Sequence, residues 1–371
     1  MSGYFLYHSI GTFPGKNRAM SEALTHFSEE WSAEDDGQWP TALAMRQTFI
    51  EHWERCIGAA PGTLTTAENV TAALFSLIGS LPPSYLKGRR VLVAADCFPS
   101  LHFLLAKLAE RFGFQLATVP LRPGEAYVRD EDLMAHWDKS VGLALLTWVT
   151  STTSHRCDVA ALAQHGREMG SLVGVDITQG VGIAPFQVSN DISFVVSSSL
   201  KWLCGTSGAG IIHVNPSILQ QCEPEFRGWF SQANPFSWGL DDFEYAPDAR
   251  RFDHGTPAIL ASVASLPGLQ FVESTGIDTL RAHNLKLVRR IIDHAQTSEL
   301  TIISPLDDDR RGGSLMIRMG DHVDVRSLVG QLRDRNLFCD ARGQIIRLSP
   351  GIVTTEADVD LICQGIQELS V

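Results

Sequence analysis

Short, fully apolar runs dominate the middle of the chain. Residues 90–95 (RVLVAA), 141–149 (VGLALLTWV), 172–176, 192–196 and 210–214 carry few polar positions, the pattern of strands buried on both faces. A further strand is expected around 115–119. Between the runs lie segments with helical spacing: 41–57 (Leu43, Met45, Phe49, Ile50, Trp53, Ile57), 101–113 and 158–170, with another at 258–274. Strand and helix alternate, which is the βαβ rhythm of a mostly parallel central sheet with helices on both faces. Past Gly276 the pattern changes. A long helix (279–296) leads to short strands near 300–303 and 314–319, a helix at 324–335, strands at 337–340 and 344–348, and a closing helix at 356–369. That is a smaller α+β unit. The organisation expected is therefore a large domain over 46–275, a small C-terminal domain over 276–371, and an irregular segment, 1–45, that joins the small domain or the rim of the active site.

Chemistry concentrates in one stretch, Val173 to Val214. One strand candidate ends in Asp176; the next ends in Ser197–Ser199 and is followed by Lys201 and a Gly/Ser/Thr-rich turn. In a parallel sheet both strand ends fall at one edge, where open α/β sheets bind ligands. The chain has six lysines; only Lys201 lies between apolar strands with small residues on both sides. Burial lowers a lysine's pKa and makes it an amine nucleophile. Such a lysine can hold an aldehyde as a Schiff base while the acid keeps a pyridine nitrogen protonated, the arrangement suited to pyridoxal 5'-phosphate (PLP). Phe98, just past another strand's carboxyl end, can stack on a flat ring or anchor its loop. Thr65-x-x-Glu68 reads as a capping box before an apolar helix of about four turns. It serves either as an ordinary cap or as a seat for phosphate.

Composition narrows the class. The 371 residues carry a formal net charge of −12, with no basic block, which argues against nucleic acid as a partner. No apolar run reaches the ~20 residues of a membrane span, and the N-terminus lacks a signal-peptide pattern. The seven cysteines are scattered without CxxC spacing and read as reduced thiols of a cytoplasmic protein. No HExxH or Cys/His cluster suggests a metal.

These residues resemble the class V branch of fold-type I PLP enzymes, and among them the kynureninases. His8-Ser9-Ile10-Gly11 resembles that family's Asn-Ser-Leu-Gly, and Thr65-Thr66-Ala67-Glu68-Asn69 its phosphate-seat helix start. Phe98-Pro99-Ser100 resembles the ring-stacking turn, Asp176-Ile177-Thr178-Gln179 the Asp-x-x-His/Gln motif, and Lys201-Trp202-Leu203 the Lys-Tyr-Leu motif. Gly228-Trp229 and Gly255-Thr256-Pro257 resemble segments by which a partner subunit completes each site. Asp340-Ala341-Arg342 with Ile346-Arg347-Leu348-Ser349-Pro350 resembles the C-terminal Asp-x-Arg…Ile-Arg-x-Ala/Ser-Pro tract.

The resemblance implies a PLP-dependent transferase fold and a homodimer with shared active sites acting on a small-molecule amino acid. It implies Lys201 as Schiff-base lysine and proton shuttle, Asp176 on the pyridinium, and Phe98 with Ser100 at the ring. Gln179 is implied at the phenolic oxygen, and Thr66, the Ala67 amide and Ser198 on the phosphate. Trp229 and Thr256 come from the partner, and Ser9 and Arg347 bind substrate, Arg347 as the carboxylate clamp. The activity implied is hydrolytic Cβ–Cγ cleavage of kynurenine or a relative. A β-lyase, a cysteine desulfurase using Cys339, a class V aminotransferase, and a non-catalytic regulator stand as alternatives. Leu200 replaces the family's tyrosine before the lysine, Leu101 replaces its aspartate after Phe-Pro-Ser/Thr, and Gln179 replaces the more usual histidine.

Overall fold

The computed structural model describes residues 3–298 and 300–369. After a short N-terminal strand, β1 (Gly3–Tyr4), the chain builds a seven-stranded sheet from β2 (Leu64–Ala67), β3 (Arg90–Ala94), β4 (Gln115–Val119), β5 (Val141–Thr147), β6 (Leu172–Asp176), β7 (Phe194–Ser198) and β8 (Gly210–Val214). Their order is β2-β8-β7-β6-β5-β3-β4. The strands from β3 to β7 pair in parallel, whereas β8 runs antiparallel to both its neighbours. Every residue of β6, β7 and β8 is buried, which is why these strands read as unbroken apolar runs. Alternation still sorts them. Val173, Val175 and Val195 face a core with Phe49, Trp53 and Leu162. Phe194, Val196 and Ile212 face another with Leu74, Leu77 and Leu105.

The C-terminal part is an antiparallel sheet of β9 (Thr301–Ile302), β10 (Leu315–Arg318), β12 (Asp340–Arg342) and β13 (Ile345–Leu348), while β11 (Leu337–Phe338) pairs with β1 instead. Helices Ile277–Thr297, Val325–Asp334 and Glu356–Leu369 cover it, and Leu287, Ile291, Ile317, Leu328 and Ile362 share its core. The amino terminus belongs here: β1 lies parallel to β11, and Phe5 is fully buried in this core. Backbone hydrogen bonds tie this part to the large sheet, Gly312 N to Ser154 O and Arg156 N to Arg310 O, each 2.8 Å.

Three expectations need correction. Residues 16–31 form a helix rather than an irregular segment. Its stripe of Ala19, Ala23 and Phe27, each one turn apart, packs on the body but leaves none of its residues buried, so its apolar signal is faint. Residues 64–67 are a strand and not a helix start. Thr65 and Thr66 pair with Ile212 and Ile211 of β8, as β-branched residues favour. The following helix, Val70–Ile78, is shorter than four turns and is capped by Asn69, whose side chain accepts from Ala72 N. A short helix, Asp130–Ala135, was not expected at all.

From the C-terminal sheet the N-terminal segment crosses back over the lysine turn. Gly11 N donates to Leu200 O at 2.8 Å, and a Cβ on Gly11 would stand 1.8 Å from Lys201 O. Nothing but glycine fits without movement of that turn. Gly11→Ala is therefore expected to destabilise the protein by about 1–3 kcal/mol through overpacking. Gly330→Ala, on a helix with nothing near its Cβ position, should be neutral or stabilising by up to ~1 kcal/mol. Urea midpoints of the two variants check this.

Candidate active site

Because β3, β5, β6 and β7 are parallel, their carboxyl ends share one sheet edge. Thr147 ends β5, Asp176 ends β6 and Ser198 ends β7. Phe98 follows β3 at the start of helix Pro99–Phe112. Lys201 lies just beyond Ser198. A cavity of about 230 Å³ opens there, walled by these residues together with Asn69, Val70 and Thr71. The site is thus an edge feature of the sheet, as expected of an open α/β architecture.

Asp176 is buried, and its Oδ1 accepts from Thr178 N at 3.0 Å and from the Thr178 hydroxyl at 2.5 Å. Burial raises its pKa against those two hydrogen bonds and the field of Lys201. Burial likewise lowers Lys201 to about 8, with Asp176 opposing the shift and Arg347 and Arg342 adding to it. The amine is therefore partly neutral near physiological pH, as a nucleophile and proton shuttle requires. Its Nζ stands 5.8 Å from the centre of the Phe98 ring, which places that ring and the amine on one cavity.

The other side chains divide clearly. Gln179 and Ser198 lie on the cavity wall; Gln179 Nε2 also donates to His8 O at 3.1 Å. Thr66 and Ala67 do not lie on it. The Thr66 hydroxyl accepts from Arg46 Nε at 2.9 Å and Nη2 at 2.7 Å, and Arg46 forms a buried ion pair with Asp253 at 2.8 Å. The helix start that faces the cavity is Asn69–Thr71, four residues on from the expected seat. With the Ala72 amide taken by the Asn69 side chain, the first-turn amides of Val70 and Thr71 and the Thr71 hydroxyl suit an anion. The sequence did carry the signal, an Asn directly before an apolar helical run, but Thr65-x-x-Glu68 obscured it. Ser100 sits in the first turn of its helix, outside the wall, and Ser9 is exposed. Trp229 and Thr256 are absent from the wall. Thr256 is exposed, and Trp229 belongs to a surface cluster with Trp39, Phe236 and Trp238. Leu101 and Leu200 are wall residues, so the two departures from the kynureninase motif make the cavity more apolar.

Arg347 is 5% exposed. It occupies β13 directly opposite Asp340 on β12 and grips both carboxylate oxygens, Nε to Oδ1 at 2.8 Å and Nη2 to Oδ2. Burial alone would raise Asp340, but hydrogen bonds from His8 and Arg347 hold it well below the usual carboxylate range. His8 Nε2 lies 3.0 Å from Asp340 Oδ1. Burial pushes up the thiol of each cysteine, Cys339 to about 12. None is therefore poised as a thiolate.

The residues present fit PLP: a buried acid, an amine of lowered pKa, an aromatic face and an anion seat converge on one cavity. A family model described as aminotransferase class V matches residues 44–362. A kynureninase of Monosiga brevicollis is 27% identical over 94% of this chain and 82% of its own length. Among solved structures, the apo cysteine desulfurase of Thermococcus onnurineus NA1 superposes with a TM-score of 0.88 at 17% identity, covering 100% of this chain and 94% of that one. A mutant of the cystine C–S lyase C-DES, with glycine covalently linked to its PLP cofactor, superposes with a TM-score of 0.87 at 16% identity over 99% and 97%.

The lowered lysine has a measurable consequence. Covalent capture of PLP by the apoprotein should accelerate as pH rises, with a midpoint near the pKa of about 8 rather than the ~10.4 of a free lysine. Stopped-flow absorbance reads this directly, and Lys201→Ala should show no covalent phase.

Proposed function

The chain belongs to the class V aminotransferase family, and from that premise we propose that it is a PLP-dependent hydrolase of the kynureninase kind, cleaving the Cβ–Cγ bond of kynurenine or a related amino acid. The observation that carries the reading is the convergence of Lys201 and Asp176 on one cavity, with Arg347 near enough to depress the lysine. The similarity to a kynureninase over nearly the whole chain supports the choice of substrate. When bound, PLP supplies the electron sink that stabilises negative charge at the substrate's α carbon.

The protein's own part follows from position. Asp176 holds a proton on the pyridine nitrogen. Asn69–Thr71 and Ser198 hold the phosphate, Gln179 the phenolic oxygen, and Phe98 covers one ring face. Arg347 orients the substrate through its carboxylate. Lys201 removes the α proton and returns it, a role matched to a pKa near ambient pH. Leu101 and Leu200 exclude water from that side of the cavity.

A second reading has its own support. Among the residues lining the cavity, Asp176 and Lys201 are the titratable ones. β-Elimination needs a base at Cα alone, whereas hydrolysis must also add water to the γ-carbonyl. Desulfuration with a protein thiolate is disfavoured by the raised thiols, Cys339 included.

We further infer a cytoplasmic homodimer in which Trp229 and Thr256 complete the partner's site. Trp238 is 77% exposed and Leu240 98%, and among the described residues no helix is long and apolar enough to cross a membrane.

The PLP-loaded enzyme should release anthranilate and alanine from kynurenine, or the hydroxylated product from 3-hydroxykynurenine. Lys201→Ala should slow turnover by roughly 10²–10⁴-fold or more. Pyruvate and ammonia from β-chloroalanine, with no product from kynurenine, would transfer the assignment to β-elimination; conversion to the pyridoxamine form would indicate aminotransfer. Absence of turnover on the whole panel would leave the non-catalytic reading. Sedimentation should show a dimer, and a fully active monomer would refute the shared site.

A further inference from the structure

Arg347 does not wait free for a substrate. A guanidinium offers a side-on edge, Nε with one Nη, and an end-on edge between the two Nη groups. Asp340 takes the side-on edge, with its oxygens on Nε and Nη2, and is the only acceptor of Arg347 among the described residues. The pairing is built into the sheet, because Asp340 and Arg347 are cross-strand partners in β12 and β13. Asp340 is held in turn. His8 Nε2 lies 3.0 Å from its Oδ1. His8 Nδ1 shares a 2.7 Å hydrogen bond with the Ser349 hydroxyl, and Ser349 one of 2.6 Å with Ser314. The backbone of His8 accepts from Gln179 on the cavity wall. Burial keeps His8 on the neutral side, and with Ser349 donating to Nδ1 the ring proton sits on Nε2, the nitrogen beside Asp340.

We propose that Asp340, steadied by His8, is the positioning residue of the carboxylate clamp: it fixes the plane of Arg347 and leaves the end-on edge to receive a substrate α-carboxylate. This rests on the reading of Arg347 as the clamp. A long arginine side chain loses rotamer freedom on binding. Here Asp340 has already removed it, so the second fork forms on a preorganised group. Because the paired Asp340 offsets part of the arginine's charge, selectivity comes from the fork as well as attraction: a carboxylate offers it two acceptor oxygens, a primary amide one acceptor and a donor.

The test uses the PLP-loaded enzyme and two probes, L-alanine and L-alaninamide, with Kd read from the cofactor absorbance change, so that no turnover is needed. Arg347→Ala should weaken L-alanine strongly and alaninamide little. Asp340→Asn should raise the Kd for L-alanine about tenfold to a hundredfold and leave alaninamide within about twofold. His8→Ala should produce a smaller rise of the same kind, and it serves as the readout should Asp340→Asn fail to fold. Equal weakening of both probes would show a merely structural role and overturn the proposal. Unchanged or tighter L-alanine binding in Asp340→Asn would also overturn it, since Asp340 would then be inert or a competitor. Were Arg347→Ala itself without effect, the clamp reading would fall, and the proposal with it.

Discussion

The structure turns on burying an acid and an amine at the same edge of a parallel sheet. Desolvating either group alone costs several kcal/mol, and their mutual attraction offsets only part of it. The two shifts show which term wins: Asp176 is raised despite two hydrogen bonds from Thr178, and Lys201 is lowered to about 8 despite the facing carboxylate. Burial outweighs attraction at both ends. That outcome separates this pair from an ordinary salt bridge. A lysine held at its free value would be almost wholly protonated at neutral pH and unable to attack an aldehyde. Here a usable fraction is neutral, while Asp176 remains a partner that a protonated ring nitrogen would stabilise.

The remaining architecture serves to hold that edge closed and oriented. The parallel strands aim their carboxyl ends together, the N-terminal segment lies across the lysine turn through the close approach of Gly11, and the C-terminal sheet brings Arg347 near. Polar contacts join these parts in sequence: Gln179 donates to the His8 carbonyl, His8 Nε2 lies beside Asp340, and Arg347 donates to Asp340. Residues far apart in the chain thus set one angle, that of a guanidinium. Because the links are buried or half-buried, each is worth more than a surface pair, and loss of one leaves a polar group without its partner.

Much of this was legible in the sequence, for a physical reason. β6 and β8 fall at their expected residues because every position in them is buried, and the closing helix because its buried residues recur at helical spacing; β4 also falls where expected, although only Val119 in it is buried. The placement of Asp176, Lys201 and Phe98 at one cavity was legible because a strand's end in a parallel sheet fixes where its next residues point; Ser198 and Gln179 were singled out by the family resemblance. What was not legible depended on choices between local and long-range partners. Thr65 and Thr66 satisfy a capping rule and a β-strand equally well, and pairing with β8 decided the matter. Helix 16–31 buries too little for its period to stand out. The Asp340–Arg347 fork requires the register of a hairpin, which composition does not reveal. The half-buried position of Trp229 and the exposed one of Thr256 are properties of one chain, and their proposed role belongs to two.

The apolar wall bears on the choice of reaction. With leucine at 101 and 200, Asp176 and Lys201 are the titratable groups of the wall, and Asp176 is the one proposed for the ring nitrogen. Both hydrolysis and elimination begin with the same loss of the α proton to that amine. Elimination then proceeds by departure of a group from Cβ and asks nothing more of the wall. Hydrolysis asks for a proton to be managed as water adds to the γ-carbonyl. One lysine could do so as a relay: the ammonium formed on taking the α proton would donate it to the γ-carbonyl oxygen, and the amine so regenerated would accept a proton from the adding water. Such a relay would let one shuttle serve either proposed reaction, and the leucines add no second acid or base to the wall.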